Sequence, residues 1–126
     1  MKKIISTNNA PSAIGPYSQA VVAGNLLFTS GQIAIVPSTG ELNMSSIAAE
    51  TNQVMINMAA VLKEAGATFD NVVKTSIFLK NMDDFNAVNE VYASFFTSDY
   101  PARETVQVAK LPKDVNVEIS MIAQID

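Results

Sequence analysis

Apolar residues along this chain recur with two different periods. Between Ser46 and Ala65, Val54, Met58, Val61, Leu62 and Ala65 come at steps of three and four, which predicts an amphipathic helix, and Gly66 stands where it would stop. Between Val115 and Met121 the pattern changes to strict alternation. Positions 115, 117, 119 and 121 are apolar, while Asn116, Glu118 and Ser120 point the other way, as in a strand with one buried face. Short apolar stretches, Ala20 to Ala23 and Leu26 to Phe28, are joined by Gly24-Asn25 and followed by Gln32 to Val36 and a Pro37-Ser38-Thr39-Gly40 turn, predicting an antiparallel meander. Val72 to Leu79 reads as a buried strand interrupted by Lys74. A second helix follows, with Asp83 or Asp84 able to cap it and Phe85, Val88, Val91, Tyr92, Phe95 and Phe96 facing inward until Asp99-Tyr100-Pro101 breaks it. Thr105 to Ala109 is a further strand. Two strand-helix units after a hairpin predict an α+β fold, a mixed sheet with two helices packed on one face. The other face is left open, so association through it is expected, with a pocket between subunits lined by the polar rows of the final strands.

Composition narrows the chemistry. The 126 residues are 48% hydrophobic and show no linker or repeat, which predicts a single domain over 1–126. With no Cys and no His, a disulfide framework, a thiolate nucleophile, a Cys/His zinc site and an imidazole base are all excluded. The net charge of -4 disfavours nucleic acid as a partner. The start, Met1 to Ser6, has two lysines but no long apolar run behind them, so neither export nor membrane anchoring is expected and the cytoplasm is the expected location. Phosphate-cradling glycine motifs are absent, and the carboxylates are not spaced as a metal-ligand set, so no cofactor and no metal is implied. Asp83-Asp84 reads as a helix cap, and the six Met as core material.

Arg103 is the only arginine among eight basic residues and lies in Pro101-Ala102-Arg103 at the mouth of a strand. A planar guanidinium presents a fork for a carboxylate or phosphate that lysine does not reproduce, which suggests a small anionic ligand; an ion pair with Glu104 or another acid is the plain alternative. Glu118 is a carboxylate in a strand that normally disfavours one. It is either a solvated residue on an open face or, if another subunit covers that face, a general base or water-positioning group. Ile14-Gly15-Pro16-Tyr17 reads as a turn that aims the Tyr17 ring, and Ser30-Gly31-Gln32 as a bend or a close approach of a ligand to backbone N–H groups.

Ala10-Pro11, Ile14 to Ala20, Thr29 to Ile33, Val73-Lys74-Thr75, Asp84-Phe85 with Val88-Asn89, Pro101-Ala102-Arg103, and Leu111 to Asp114 with Val117-Glu118-Ile119 together resemble the RidA group of the Rid (YjgF-like) family across nearly the whole chain. The resemblance implies a chorismate-mutase-like α+β fold, a homotrimer with a central barrel and ligand clefts between subunits. It implies a 2-iminobutanoate/2-iminopropanoate deaminase without cofactor, hydrolysing imine tautomers of 2-aminoacrylate and 2-aminocrotonate to 2-oxo acids and ammonia, in functional partnership with the pyridoxal-phosphate dehydratases that release them. By the same resemblance Arg103 clamps the substrate carboxylate and Glu118 orients or deprotonates water. Tyr17, Ser30, Gly31 and Asn89 line the cleft, Tyr17 reaching in from a neighbouring subunit. Many relatives read Pro-Ala-Arg-Ser-Cys where this chain has Pro101-Ala102-Arg103-Glu104-Thr105, so a thiol is replaced by a hydroxyl that can still donate a hydrogen bond on the Arg103 face. The alternative class is a non-enzymatic ligand-sensing regulator or chaperone-like binding protein. A ribonuclease fares worst, because one Arg, no His and an acidic chain offer little to a polyanion.

Overall fold

The computed structural model describes residues 1–126. Strands β1 (Lys3–Ile5), β2 (Ala20–Ala23) and β3 (Leu26–Thr29) precede helix α1 (Ile47–Glu64); β4 (Val72–Leu79), helix α2 (Phe85–Ala93), β5 (Ala102–Gln107) and β6 (Val117–Gln124) follow. One six-stranded sheet has the order β1-β2-β3-β6-β4-β5, antiparallel throughout except for the β4–β5 pair. The predicted mixed α+β sheet with two helices is therefore what forms, and β1 is an edge strand that its three short residues did not announce. The parallel β4–β5 pair follows from its connection, since α2 returns the chain to the same end of the sheet.

Helix α1 starts where Ser46 Oγ accepts the Ala49 N–H at 3.0 Å. It ends in a Schellman turn. Gly66 N–H donates to Lys63 C=O at 3.0 Å and Ala67 N–H to Leu62 C=O at 2.9 Å, and Gly66 takes the φ of +78° that the turn demands. The start of α2 differs from the expected carboxylate cap: Asp84 holds the N-cap position without a side-chain bond, and Asn81 instead caps the preceding 3₁₀ turn by accepting Asp83 N–H at 2.9 Å. The helix also stops at Ala93, so Phe95 and Phe96 pack from the following turn. Strand β5 begins at Ala102, earlier than Thr105, which puts Arg103 within the strand.

The core lies between the helices and one sheet face. Val54, Met55, Met58, Val61 and Leu62 of α1 pack there with Ile77, Leu79, Val117, Ile119 and Met121, all fully or nearly fully buried. The alternation of β6 thus sends its odd positions inward, and Glu118, Ser120 and Ile122 to the open face. That face also carries Lys74, Ser76 and Glu104, with Glu104 bound to Lys74 at 2.9 Å and to the Ser76 hydroxyl. No helix is long and apolar enough to cross a membrane.

Candidate functional site

Strand register decides where the two singled-out charges point. Arg103 is paired with Thr75, and Glu118 with Phe78. Thr75 and Phe78 are an odd number of residues apart on β4, so the two side chains project from opposite faces of the sheet. The expected pocket was one between subunits, lined by the polar rows; within one chain the two residues belong to separate cavities, here called half-sites, because β5 places Arg103 on the helix-covered face.

The first half-site is a cavity of about 650 Å³ whose lining includes Tyr17, Ser30, Gly31, Gln32, Lys113 and Glu118. Its floor is made by a bulge. Phe28 pairs with Ile122 and Gln32 with Ile119, so β3 and its continuation spend one more residue than β6 across Thr29–Gly31. The glycine at this bulge has a specific reason: a Cβ on Gly31 would lie 2.5 Å from Glu118 Oε2 and 2.6 Å from its Cδ. The close approach anticipated for a ligand is made by the Glu118 carboxylate itself. That carboxylate has no hydrogen bond or ion pair within the chain, and burial pushes its pKa up from the ordinary carboxylate value. Ser30 lines the cavity, but its hydroxyl proton is committed to Ser18 C=O at 2.5 Å, tying the bulge to the loop that carries Tyr17. Tyr17, expected from a neighbouring subunit, lines the Glu118 cavity of its own chain and is 54% exposed.

Residues that sequence reasoning passed over hold this half-site in place. Gln19, 4% exposed, accepts Thr7 N–H at 2.7 Å and donates to Thr7 C=O at 3.0 Å and Pro11 C=O at 2.8 Å, closing the base of the Tyr17 loop. Asn57, fully buried on α1, donates to Ile33 C=O at 3.1 Å and Ile35 C=O at 2.8 Å and fixes the wall. Glu50, also fully buried, accepts Asn116 N–H and Asn116 Nδ2–H at 2.8 Å each and Val117 N–H at 3.2 Å, which pins the strand immediately before Glu118. The available signal was a polar residue on the apolar face of a helix.

The second half-site surrounds Arg103. Together with Asn89, Tyr92, Ala93, Tyr100 and Pro101 it lines a cavity of about 470 Å³. Its Nη1 donates to Asn89 Oδ1 at 2.6 Å, and its Cζ lies 5.6 Å from the Phe85 ring centre and 5.1 Å from that of Tyr92. No carboxylate pairs with it: the ion pairs of the chain are Lys74–Glu104 and Lys80–Asp114, so the Glu104 alternative is corrected. Burial raises the Tyr92 phenol above its ordinary pKa, against smaller lowering effects of Thr75 and Arg103, so the ring beside the guanidinium is neutral. Thr105 is on the same sheet face as Arg103, and its enclosed Oγ1 has no hydrogen-bond partner.

Each half-site holds an unpaired charge: one presents a guanidinium without an acid partner, the other a desolvated carboxylate without an ion pair, although Lys113 also lines its cavity. Arg103 stands on β5, the edge strand at the end of the sheet, from which a side chain can meet a second molecule.

A family model described as endoribonuclease L-PSP matches residues 7–125. Among curated proteins, the chain is 51% identical over 123 residues to a RutC family protein of Pyrococcus horikoshii, covering 98% of each. It is 48% identical over 123 residues to the 2-iminobutanoate/2-iminopropanoate deaminase of Homo sapiens, covering 98% of this chain and 90% of the relative. Among solved structures, Escherichia coli TdcF with bound serine matches with a TM-score of 0.94 at 42% identity, over 98% of this chain and 99% of that one.

Proposed function

The chain belongs to the endoribonuclease L-PSP (YjgF-like) family, and we propose that it is a 2-iminobutanoate/2-iminopropanoate deaminase, hydrolysing the imine tautomers of 2-aminocrotonate and 2-aminoacrylate to 2-oxo acids and ammonia. The observation that carries this reading is the unpaired Arg103 on one sheet face and the unpaired, desolvated Glu118 on the other. Two copies of the chain, placed so that the edge strand β5 of one meets the Glu118 cavity of the next, complete one site. A homotrimer closed through the open sheet faces repeats that contact three times. The serine held by TdcF supports a small molecule bearing a carboxylate as the ligand class.

The chemistry needs few groups. Arg103 receives the substrate carboxylate on its free N–H donors, Asn89 having engaged Nη1. Glu118 accepts a proton from water as the water oxygen bonds to the C=N carbon and the C=N pair moves to nitrogen. Glu118 returns that proton to the nitrogen, giving a tetrahedral carbinolamine, then takes the proton of its hydroxyl and passes it to nitrogen as the C–N bond breaks, so that the carbonyl forms, ammonia leaves and the carboxylate is restored. Water and imine are consumed, 2-oxo acid and ammonia are produced, and no electron carrier is required. Proton transfer to a positioned side chain is worth on the order of 10²–10⁴-fold, and a carboxylate whose pKa burial has raised is a better base for it than an ordinary one. Thr105 supplies a hydroxyl beside Arg103, and Tyr17, Ser30 and Gly31 shape the cavity.

The test is keto-acid release from a pyridoxal-phosphate threonine or serine dehydratase reaction. Added protein should accelerate release, and Arg103→Ala, assembled as the parent, should abolish the effect. Full acceleration by that variant overturns the proposal. RNA cleavage is disfavoured by the net charge of -4 and by the absence of His.

A further inference from the structure

Arg103 has a support that the scheme above does not use. Phe85, Asn89 and Tyr92 are spaced i, i+4 and i+7 on α2, so they share one helix face, and all three contact the guanidinium. Tyr92 differs from the other two in being fixed at both ends. Its ring, 3% exposed, packs against Phe96 with centres 4.9 Å apart. Its hydroxyl is hydrogen-bonded to the fully buried Thr75 hydroxyl at 2.8 Å. Thr75 is in turn the cross-strand partner of Arg103. Strand pairing, hydroxyl pair and ring–guanidinium contact therefore form a closed circuit in which Tyr92 cannot shift without breaking a buried hydrogen bond.

We infer that Tyr92 is a positioning residue for Arg103: its ring, pinned by Thr75, fixes the guanidinium plane so that the donors left free by Asn89 stay turned towards the ligand carboxylate. The inference rests on the proposed role of Arg103. A long side chain with several rotatable bonds loses its freedom on binding, and a neutral aromatic platform removes that loss before the ligand arrives. A tyrosine serving only as core filling would contribute the same burial without any effect on the arginine.

Because Arg103 is the only arginine, its Nε–H group gives one NMR resonance in the intact assembled protein. The rings beside it should displace that signal from the position of a free arginine, and 2-oxobutanoate should move it further. In Tyr92→Leu the signal should return towards the free position and exchange faster with water, with 2-oxobutanoate binding about tenfold weaker, KM raised and kcat within about twofold of the parent. Tyr92→Phe and Thr75→Val keep a ring in place but release its anchor. They should show two- to threefold weaker binding, and they carry the test if the leucine variant fails to fold. An arginine signal and affinity unchanged in Tyr92→Leu, or in both milder variants, overturns the positioning role alone. A signal that follows the Tyr92 substitutions but ignores 2-oxobutanoate overturns the role of Arg103 as carboxylate clamp, and with it the purpose assigned to Tyr92.

Discussion

Gly31→Ala separates folding from catalysis by a single methyl group. The added Cβ would lie 2.5 Å from Glu118 Oε2, 2.6 Å from Cδ and 2.9 Å from Cγ. Ordinary contacts of this kind begin near about 3.5 Å, so the carboxylate must retreat by about 1 Å. All three clashing atoms belong to one flexible side chain, and Gly31 does not have the left-handed backbone that would exclude alanine. Alanine also narrows the unfolded ensemble, a gain of about 0.4–1 kcal/mol that offsets the displaced glutamate. The melting temperature should therefore stay within about 4 °C of the parent. Activity should not, because a misplacement of about 1 Å at the reacting group costs on the order of 100-fold. Thermal unfolding and coupled keto-acid release, measured on the same preparation, give both numbers. In a Glu118→Gln background the methyl should cost little further activity, since the carboxylate it displaces is gone. A Gly31→Ala protein as active as the parent would show that the placement of Glu118 over Gly31 has no part in the chemistry, and the base assignment would have to be withdrawn.

Burial raises the Glu118 pKa, so this group favours folding below the unfolded value of about 4.3 and loses that contribution as pH rises through the folded value. Glu118→Gln should accordingly melt higher than the parent at about pH 8, by a difference that closes near pH 4, while losing at least about 100-fold in activity; a lower melting point at pH 8 would refute the sign. The acid limb of the parent's pH–rate profile should fall at a pH above the ordinary carboxylate range, and a midpoint at or below about 4.3 would exclude Glu118 as the base. Glu50→Ala leaves the Asn116 and Val117 N–H groups without their acceptor and should cost about 2–5 kcal/mol in urea unfolding. Glu50→Gln should cost less than about 1 kcal/mol, because a turned Asn116 amide restores the third bond.

Periodicity carried most of the architecture. The alternation from Val115 to Met121 and the three–four spacing from Val54 to Leu62 each placed the right residues in the core. What periodicity does not encode is how elements meet. Glu50 and Asn57 look like departures from the apolar stripe of α1, yet both are fully buried because each satisfies backbone groups of a distant segment. The role of Gly31 was equally hidden, since a missing Cβ acquires meaning only when a bulge brings Glu118 over it. Arg103 and Glu118 stood out by residue type, but their separation depends on the β4–β5 and β4–β6 registers, which no local pattern states.

That separation is enforced rather than incidental. Moving Arg103 to the Glu118 face would require β5 to slip by one residue, which would turn Glu104 away from Lys74 and Ser76 and under α2. It would also strip the guanidinium from Phe85, Asn89 and Tyr92. A single copy thus keeps its cation and its base apart by the thickness of the sheet, and cannot neutralise one with the other while the site is empty. A guanidinium and a carboxylate free to meet in one chain would form an ion pair that the ligand must break. Placing them on opposite faces, with one on an edge strand, leaves both unpaired in the single chain; in the proposed assembly, a second copy would bring them across a shared cavity, and completion of the site would then be linked to assembly.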